Sequence, residues 1–154
     1  MQIIHRETRL SKTIVVERVN DEDYQKITKS KYFFNWKIEK ENVVYKLRLE
    51  DNEEILGLMS LVIFEKEERL EIKLLAVSKE NRGRTKVYEG IAENLIGYAC
   101  REAVKLYDYN GCVSLIPKDE LRKHYAEKYG MLSGGYHLFL EGKPLFELIK
   151  KCAL

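Results

Sequence analysis

From residue 11 to residue 77 the hydrophobic positions fall in short, β-branched or alternating stretches, whereas beyond residue 90 they recur with helical spacing. The stretch TIVVERV at residues 13–19 predicts an opening strand. Asn20 and Asp21 can cap a helix running to about Ser30, with Tyr24 and Ile27 on one face. A dense aromatic patch, YFFNW, follows at residues 32–36. Residues 43–50 alternate after their first step, and Asp51-Asn52-Glu53-Glu54 is the turn that closes them. Residues 55–64 and 70–77 read as two further strands joined by the charged hairpin at 65–69.

Gly90 then opens the most regular segment of the chain. Ile91, Leu95, Ala99 and Ala103 recur every four residues, and Ala92 and Ile96 widen the stripe into the buried face of an amphipathic helix. Asn110-Gly111 is a turn, and residues 112–116 are a short strand of buried type. Pro117 and Asp119 open a helix carrying Leu121, Tyr125 and Tyr129 on one face, and Gly130 ends it. Ser133-Gly134-Gly135 predicts a loop, residues 136–140 a strand and residues 144–151 a short final helix. Strands first, then strand-helix-strand-helix-strand, predict an α/β (α+β) chain on a mixed sheet rather than a doubly wound one. The connection from 70–77 to 112–116 would be a parallel crossover. With no repeat, low-complexity stretch or linker, residues 1–154 read as a single domain.

Composition narrows the chemistry. A net charge of +2 is too small for a general polyanion binder, so any basic site must be local. Cys100, Cys112 and Cys152 are odd in number and lack a C-x-x-C pair, which predicts reduced thiols rather than a disulfide frame. His5, His124 and His137 have no ligand-like spacing, so no metal is expected. The charged start MQIIHRETRL has no signal-peptide core, and the longest apolar run, at 56–64, is too short to span a bilayer. The cysteine of the final KCAL sits one position too late for prenylation. A cytoplasmic protein without membrane contact is the expectation.

The segment from 70 to 106 says most about function. A strand delivers the chain through a loop bearing Lys79, Arg82, Arg84 and Lys86 to a helix N-terminus. Helix N-termini present unpaired N–H groups and a partial positive charge, a recipe for holding phosphate. Gly90 lets backbone approach a ligand closely and tolerates dihedrals that a side chain forbids.

This order of elements resembles the GCN5-related N-acetyltransferase (GNAT) superfamily over residues 55–140. The family's Gln/Arg-x-x-Gly-x-Gly/Ala signature is matched by Gly90-Ile91-Ala92, the helix after it by Leu95-Ile96 through Ala103, and its later tyrosine-to-glycine block by HYAEKYGM with Tyr125 at the tyrosine. Val87 stands at the Gln/Arg position, the loop before Gly90 is about five residues longer than the common form, and Met131 replaces a phenylalanine. Arg82-Gly83-Arg84 imitates the motif's start, but that register leaves Thr85 and Val87 where small residues belong. The resemblance implies a mixed, mostly antiparallel sheet flanked by helices and an acyl-CoA-dependent N-acyltransferase, with acetyl-CoA as acyl donor and a small-molecule or peptide amine as acceptor. It places the pyrophosphate near Tyr88, Glu89, Gly90, Ile91 and Ala92, with Val87 beside it in the cofactor site and Arg82, Arg84 and Lys86 as outer ligands, and the pantetheine along the strand edge at Leu75, Ala76 and Val77. Tyr125 would protonate the leaving sulfur, and Glu71 would accept the amine's proton through water. A homodimer is compatible with the family.

Each assignment has a plainer counterpart. Leu121, Tyr125 and Tyr129 also read as a core stripe, and Glu71 and Lys73 as solvent-facing positions beside Ile72 and Leu74. Tyr32, Phe33, Phe34 and Trp36 could wall an acceptor pocket or form core or a dimer surface; His124 reads as a surface residue and Tyr98, Tyr107 and Tyr109 as packing. A non-catalytic module binding coenzyme A or a partner is the alternative function. A nucleic-acid role for residues 79–86 with Lys118, Arg122, Lys123 and Lys128 is disfavoured by the acids between them.

Overall fold

The computed structural model describes residues 1–154. In chain order its strands and α-helices are β1 (Gln2–His5), β2 (Ser11–Arg18), α1 (Lys29–Tyr32), β3 (Val43–Leu49), β4 (Ile55–Phe64), β5 (Arg69–Val77), β6 (Tyr88–Glu89), α2 (Ile91–Tyr107), β7 (Cys112–Leu115), α3 (Asp119–Tyr129), β8 (Leu132–Gly134), β9 (His137–Glu141) and α4 (Gly142–Lys151). The strands form a nine-stranded sheet in the order β6-β1-β2-β3-β4-β5-β7-β9-β8. The pairings of β1 with β2 and β6, of β2 with β3, and of β9 with β7 and β8 are antiparallel. β5 and β7 are parallel, the crossover that the sequence order predicted. The sheet is therefore mixed and mostly antiparallel, with helices flanking it.

The chain divides into two compact units, Met1–Ser60 with Leu74–Leu95, and Leu61–Lys73 with Ile96–Leu154. In the first, Tyr24, Ile27, Tyr32, Trp36, Val44, Ile55, Leu58 and Ala76 form a buried apolar cluster. Tyr32 and Trp36, half of the aromatic patch, are thus core. The Tyr32 hydroxyl donates to the Ile55 carbonyl at 2.7 Å and the Trp36 indole to the Tyr32 carbonyl at 3.1 Å, which satisfies both polar tips. Gly57 on β4 is a close-approach position: a Cβ there would lie 2.7 Å from Ile91 Cγ2 and 3.0 Å from Leu95 Cδ1. Overpacking at such a contact costs about 1–3 kcal/mol. Gly57→Ala is therefore expected to lower the thermal midpoint by several degrees, which calorimetric melting of the two proteins would measure.

In the second unit Ile96, Ala99 and Ala103 of α2 are fully buried, as the four-residue stripe predicted, together with Cys100, Val113, Leu138, Leu140 and Leu145. All three cysteines are free and buried. Burial pushes the Cys112 thiol up to about 11 and the Cys100 thiol higher still, so neither is a thiolate nucleophile near neutral pH.

Several expected elements differ. The helix from Asn20 to Ser30 is instead a 3-10 turn, Asp21–Gln25, followed by α1. Asn20 and Asp23 close a reciprocal capping box, each amide donating to the other's side chain at 2.9 Å, and Thr28 caps a second start by accepting from the Lys31 amide. Two caps eight residues apart in the sequence compete with one continuous helix. Ser133 and Gly134, expected as loop, belong to β8, and the following strand begins at His137, leaving Tyr136 83% exposed. Tyr109, expected to pack, is 85% exposed.

Candidate functional site

In the first unit the positions expected to hold an acyl carrier run from the end of β5 to the first turn of α2. β5 pairs with β7 only over Arg69–Ile72, so residues 73–77, including Leu75, Ala76 and Val77, extend past that register. Ala76 is buried and Leu75 and Val77 are half-buried. The Ser78 amide donates to the Leu56 carbonyl at 2.8 Å, tying the strand end to β4.

The long loop that follows is braced from within. Asn81, 6% exposed, donates to Ser78 Oγ at 2.9 Å and accepts the Tyr88 amide at 2.8 Å. The Val87 amide donates to the Glu80 carbonyl at 3.2 Å, and the Val87 carbonyl accepts from Arg6 at 2.8 Å. β6 then pairs with β1, Tyr88 meets His5 edge to face at 5.3 Å, and Glu89 is bridged by Arg9 at 3.1 Å. Glu80 is held below the ordinary carboxylate value, chiefly by a hydrogen bond from its own amide, with Lys31 at 3.5 Å adding to it. Arg82 lies exposed with its guanidinium 4.1 Å from the centre of the Phe33 ring, while Arg84 is exposed and Lys86 half-buried. His5, Arg6, Glu7, Thr85, Lys86 and Val87 line a cavity of about 340 Å³.

Gly90 has φ +98°, a conformation that L side chains rarely adopt. Its carbonyl is held twice by Asn94, through the amide at 3.0 Å and Nδ2 at 2.7 Å, and Nδ2 also reaches the Gln2 carbonyl at 3.0 Å. The next amides, those of Ile91 and Ala92, open α2 and have no carbonyl one turn earlier within the helix. Val87 and Tyr88 donate their amides within the loop, so those two are not among the amides left at the helix mouth. Nothing approaches closer than 3.5 Å to where a Gly90 Cβ would sit, so the glycine is required by its dihedral and leaves open backbone beside those amides.

In the second unit, Tyr125 on α3 is half-buried and stacks on Tyr129 at 5.8 Å. Only Tyr129 of the predicted stripe is buried, and Leu121 is 37% exposed, so this face is not a plain core stripe. His124 is exposed, its ring tilted 5.8 Å from that of Tyr125. Glu71, instead of facing solvent, is half-buried with Oε1 2.6 Å from His137 Nε2 on β9 and 3.2 Å from Arg69 Nη1. Arg69 also donates to Ser114 Oγ at 2.7 Å. Ser78 and Asn81 as loop braces, the N-terminal partners His5, Arg6 and Arg9, and His137 were not singled out from the sequence. Ser78-x-x-Asn81 carries a turn signal; the other contacts are long-range and leave none. No group of three His, Cys, Asp or Glu side chains is arranged to hold a metal ion, and no helix is long and apolar enough to cross a membrane.

No protein-family model matches the sequence, and no curated protein is significantly similar to it. Solved structures do match in fold. A Bacillus anthracis protein described as a putative streptothricin acetyltransferase, in complex with acetyl coenzyme A, superposes with a TM-score of 0.63 at 14% identity, covering 84% of this chain and 97% of its own. The ribosomal-protein-S18-alanine N-acetyltransferase of Escherichia coli gives 0.61 at 10% identity, covering 83% and 93%. N-acetylglutamate synthase of Neisseria gonorrhoeae, complexed with coenzyme A and L-arginine, gives 0.60 at 13%, covering 86% of this chain; the chain spans only 34% of that protein. The fold is that of the GNAT acetyltransferases.

Proposed function

We propose that this chain, which has the GNAT acetyltransferase fold, is an acyl-CoA-dependent N-acyltransferase that uses acetyl-CoA and acylates a primary amine. The observation that carries the reading is the path from β5 to α2: a strand running past the register of its neighbour, then a positive-φ glycine that exposes the first amides of a long helix. The thioester supplies an electrophilic carbonyl and a good leaving group. The amides of Ile91 and Ala92 would bind the diphosphate, with Lys86 and Arg84 adding mobile charge. Free main-chain groups at Leu75 and Val77 would pair with the amides of the carrier arm as an added strand does, and an N–H near Val77 would polarise the carbonyl. Tyr125 would give its phenolic proton to the departing sulfur. The similar proteins are named as acetyltransferases of streptothricin and of a ribosomal-protein alanine and as an N-acetylglutamate synthase, which supports an amine acceptor in general.

Titration calorimetry with acetyl-CoA, followed by thiol release over a panel of amines, tests the proposal. Wild type is expected to bind and to release thiol; Tyr125→Phe should keep its acetyl-CoA affinity and lose about tenfold in turnover. Equal turnover of the two across pH would remove Tyr125 from the mechanism. Binding with no thiol release would favour the non-catalytic module, which the engaged amides of Val87 and Tyr88 also support. Absence of binding would refute the acyltransferase and the coenzyme A-binding module alike.

A further inference from the structure

We infer that His137, oriented by Glu71, is the proton acceptor for the incoming amine, an assignment that rests on the acyltransferase reading and completes its acid–base chemistry. The two groups come from different strands, Glu71 from β5 and His137 from β9, and meet at 2.6 Å through Oε1 and Nε2. A carboxylate offers only lone pairs, so the bond places the imidazole proton on Nε2 and leaves Nδ1 as a bare acceptor. Arg69 reaches the same Glu71 oxygen, Oε1, at 3.2 Å, and Ser114 and Glu67 hold Arg69 in turn. The glutamate therefore has a set orientation, the arrangement by which a carboxylate aligns an imidazole and stabilises its protonated form. His137 is also stacked on Phe139 at 5.7 Å, and its side chain remains 30% exposed. It is rigid yet reachable.

The charged and titratable groups around it are Arg69, Glu71 and Lys73 along β5, Ser114 on β7, Glu141 further along β9, and Arg122 of α3, which donates to the Tyr136 carbonyl next to His137. Glu71 bonds the ring directly at 2.6 Å.

The acceptor arrives as an ammonium ion, and Nδ1 takes one proton, giving a neutral amine and an imidazolium beside Glu71. The amine nitrogen bonds to the acyl carbon as the carbon–sulfur bond breaks, and the sulfur leaves with the bonding electrons and the Tyr125 proton. The nitrogen's second proton restores the phenol. His137 returns its proton to water, so one ammonium and one thioester give one amide, one thiol and one proton.

Two measurements test this. In the free protein, ¹⁵N spectra of labelled histidine should show His137, identified by the signal lost in His137→Gln, as the Nε2–H tautomer, and Glu71→Ala should abolish that bias. A wild-type Nδ1–H tautomer overturns the proposal. In thiol release with acetyl-CoA and spermidine, ethanolamine or a lysine peptide, His137→Gln should lower kcat/KM about 100-fold or more near neutral pH and flatten the acid limb of the profile. If none of the three is acylated, hydrolysis of acetyl-CoA, with water as nucleophile, supplies the same readout. Glu71→Gln should lower the rate less and keep the acid limb. Unchanged rates and pH limb in His137→Gln, with coenzyme A still bound, defeat this inference alone; failure of wild type to bind coenzyme A defeats the acyltransferase reading and this inference with it.

Discussion

Replacing Gly90 with valine should weaken coenzyme A binding about 100-fold while the protein stays folded. Gly90 sits at φ +98°, where a β-branched residue is strained by about 1–3 kcal/mol, and the upper part of that range is a factor of about 100 in an equilibrium constant. Space is not the obstacle, since a Cβ would meet only Asn94 Nδ2 at 3.5 Å and Ile3 Cγ2 at 3.9 Å. The strain must then be relieved by turning the backbone, and the peptide joining Gly90 to Ile91 is the one whose carbonyl Asn94 holds with two bonds. Turning it swings the Ile91 amide out of line with the helix axis, and that amide is one of the two proposed for the diphosphate. Gly83 supplies the control: it also has a positive φ, +73°, in the same loop, and nothing lies within 4 Å of its Cβ position. Gly83→Val should cost comparable stability and leave affinity near wild type. Calorimetric titration with coenzyme A and thermal melts of the three proteins separate these effects. Equal affinity in Gly90→Val and wild type would mean that the amides after Gly90 do not hold the diphosphate. An equal loss in Gly83→Val would assign the effect to loop strain in general.

What could be read from the sequence follows from the range of the interaction responsible. The helix of residues 91–107 and the crossover from β5 to β7 were legible because a four-residue stripe and a run of β-branched residues are local signals. The pair β1–β6 was not, because two residues carry no periodicity and β6 is a strand only through β1, some eighty residues away. The same pairing ties Val87, Tyr88 and Glu89 to Arg6, His5 and Arg9. The longer loop, seen in the sequence only as a departure from the common pattern, is thus fastened to the N-terminal strand. At the candidate site, Gly90 was legible because a glycine before a helix marks a dihedral that L side chains rarely adopt. The setting of Glu71 was not: alternation along β5 predicted a side chain facing solvent, and only the register of three strands brings His137 over it. The short 3-10 turn at Asp21–Gln25 has the same origin, since Asp23 turns inward toward Lys46, twenty-three residues away.

That inward turn produces the largest stability effect expected for a single substitution. Asp23→Ala should lower the unfolding free energy by about 3–5 kcal/mol, which for a chain of this size is a fall of about 10 °C in Tm. Lys46 Nζ lies 2.7 Å from Asp23 Oδ2, with the two side chains only 5% and 10% exposed. Removing the carboxylate strands a buried ammonium, and that penalty exceeds what the pair itself contributes. Alanine also deletes the acceptor for the Asn20 amide, a cap worth about 1 kcal/mol. Asp23→Asn keeps an oxygen for the cap and should lose less. Combining Asp23→Asn with Lys46→Met removes both charges and should restore much of the loss, the sign of a coupled pair rather than of two independent contacts. Glu17 is the one alternative partner for Lys46, at 3.6 Å, but it is engaged by Arg48 at 2.7 Å. The Arg48 hydrogen bond holds the Glu17 carboxyl below its usual value, so its contribution is present above the unfolded carboxylate range and fades as pH falls through the depressed value. Urea unfolding of the four proteins at neutral pH, repeated at about pH 3, tests the assignment. A loss below about 1 kcal/mol in Asp23→Ala at neutral pH would mean that Lys46 swings to Glu17 or to water and is never stranded. If that small loss grew on acidification, Glu17 would be the group that had taken over.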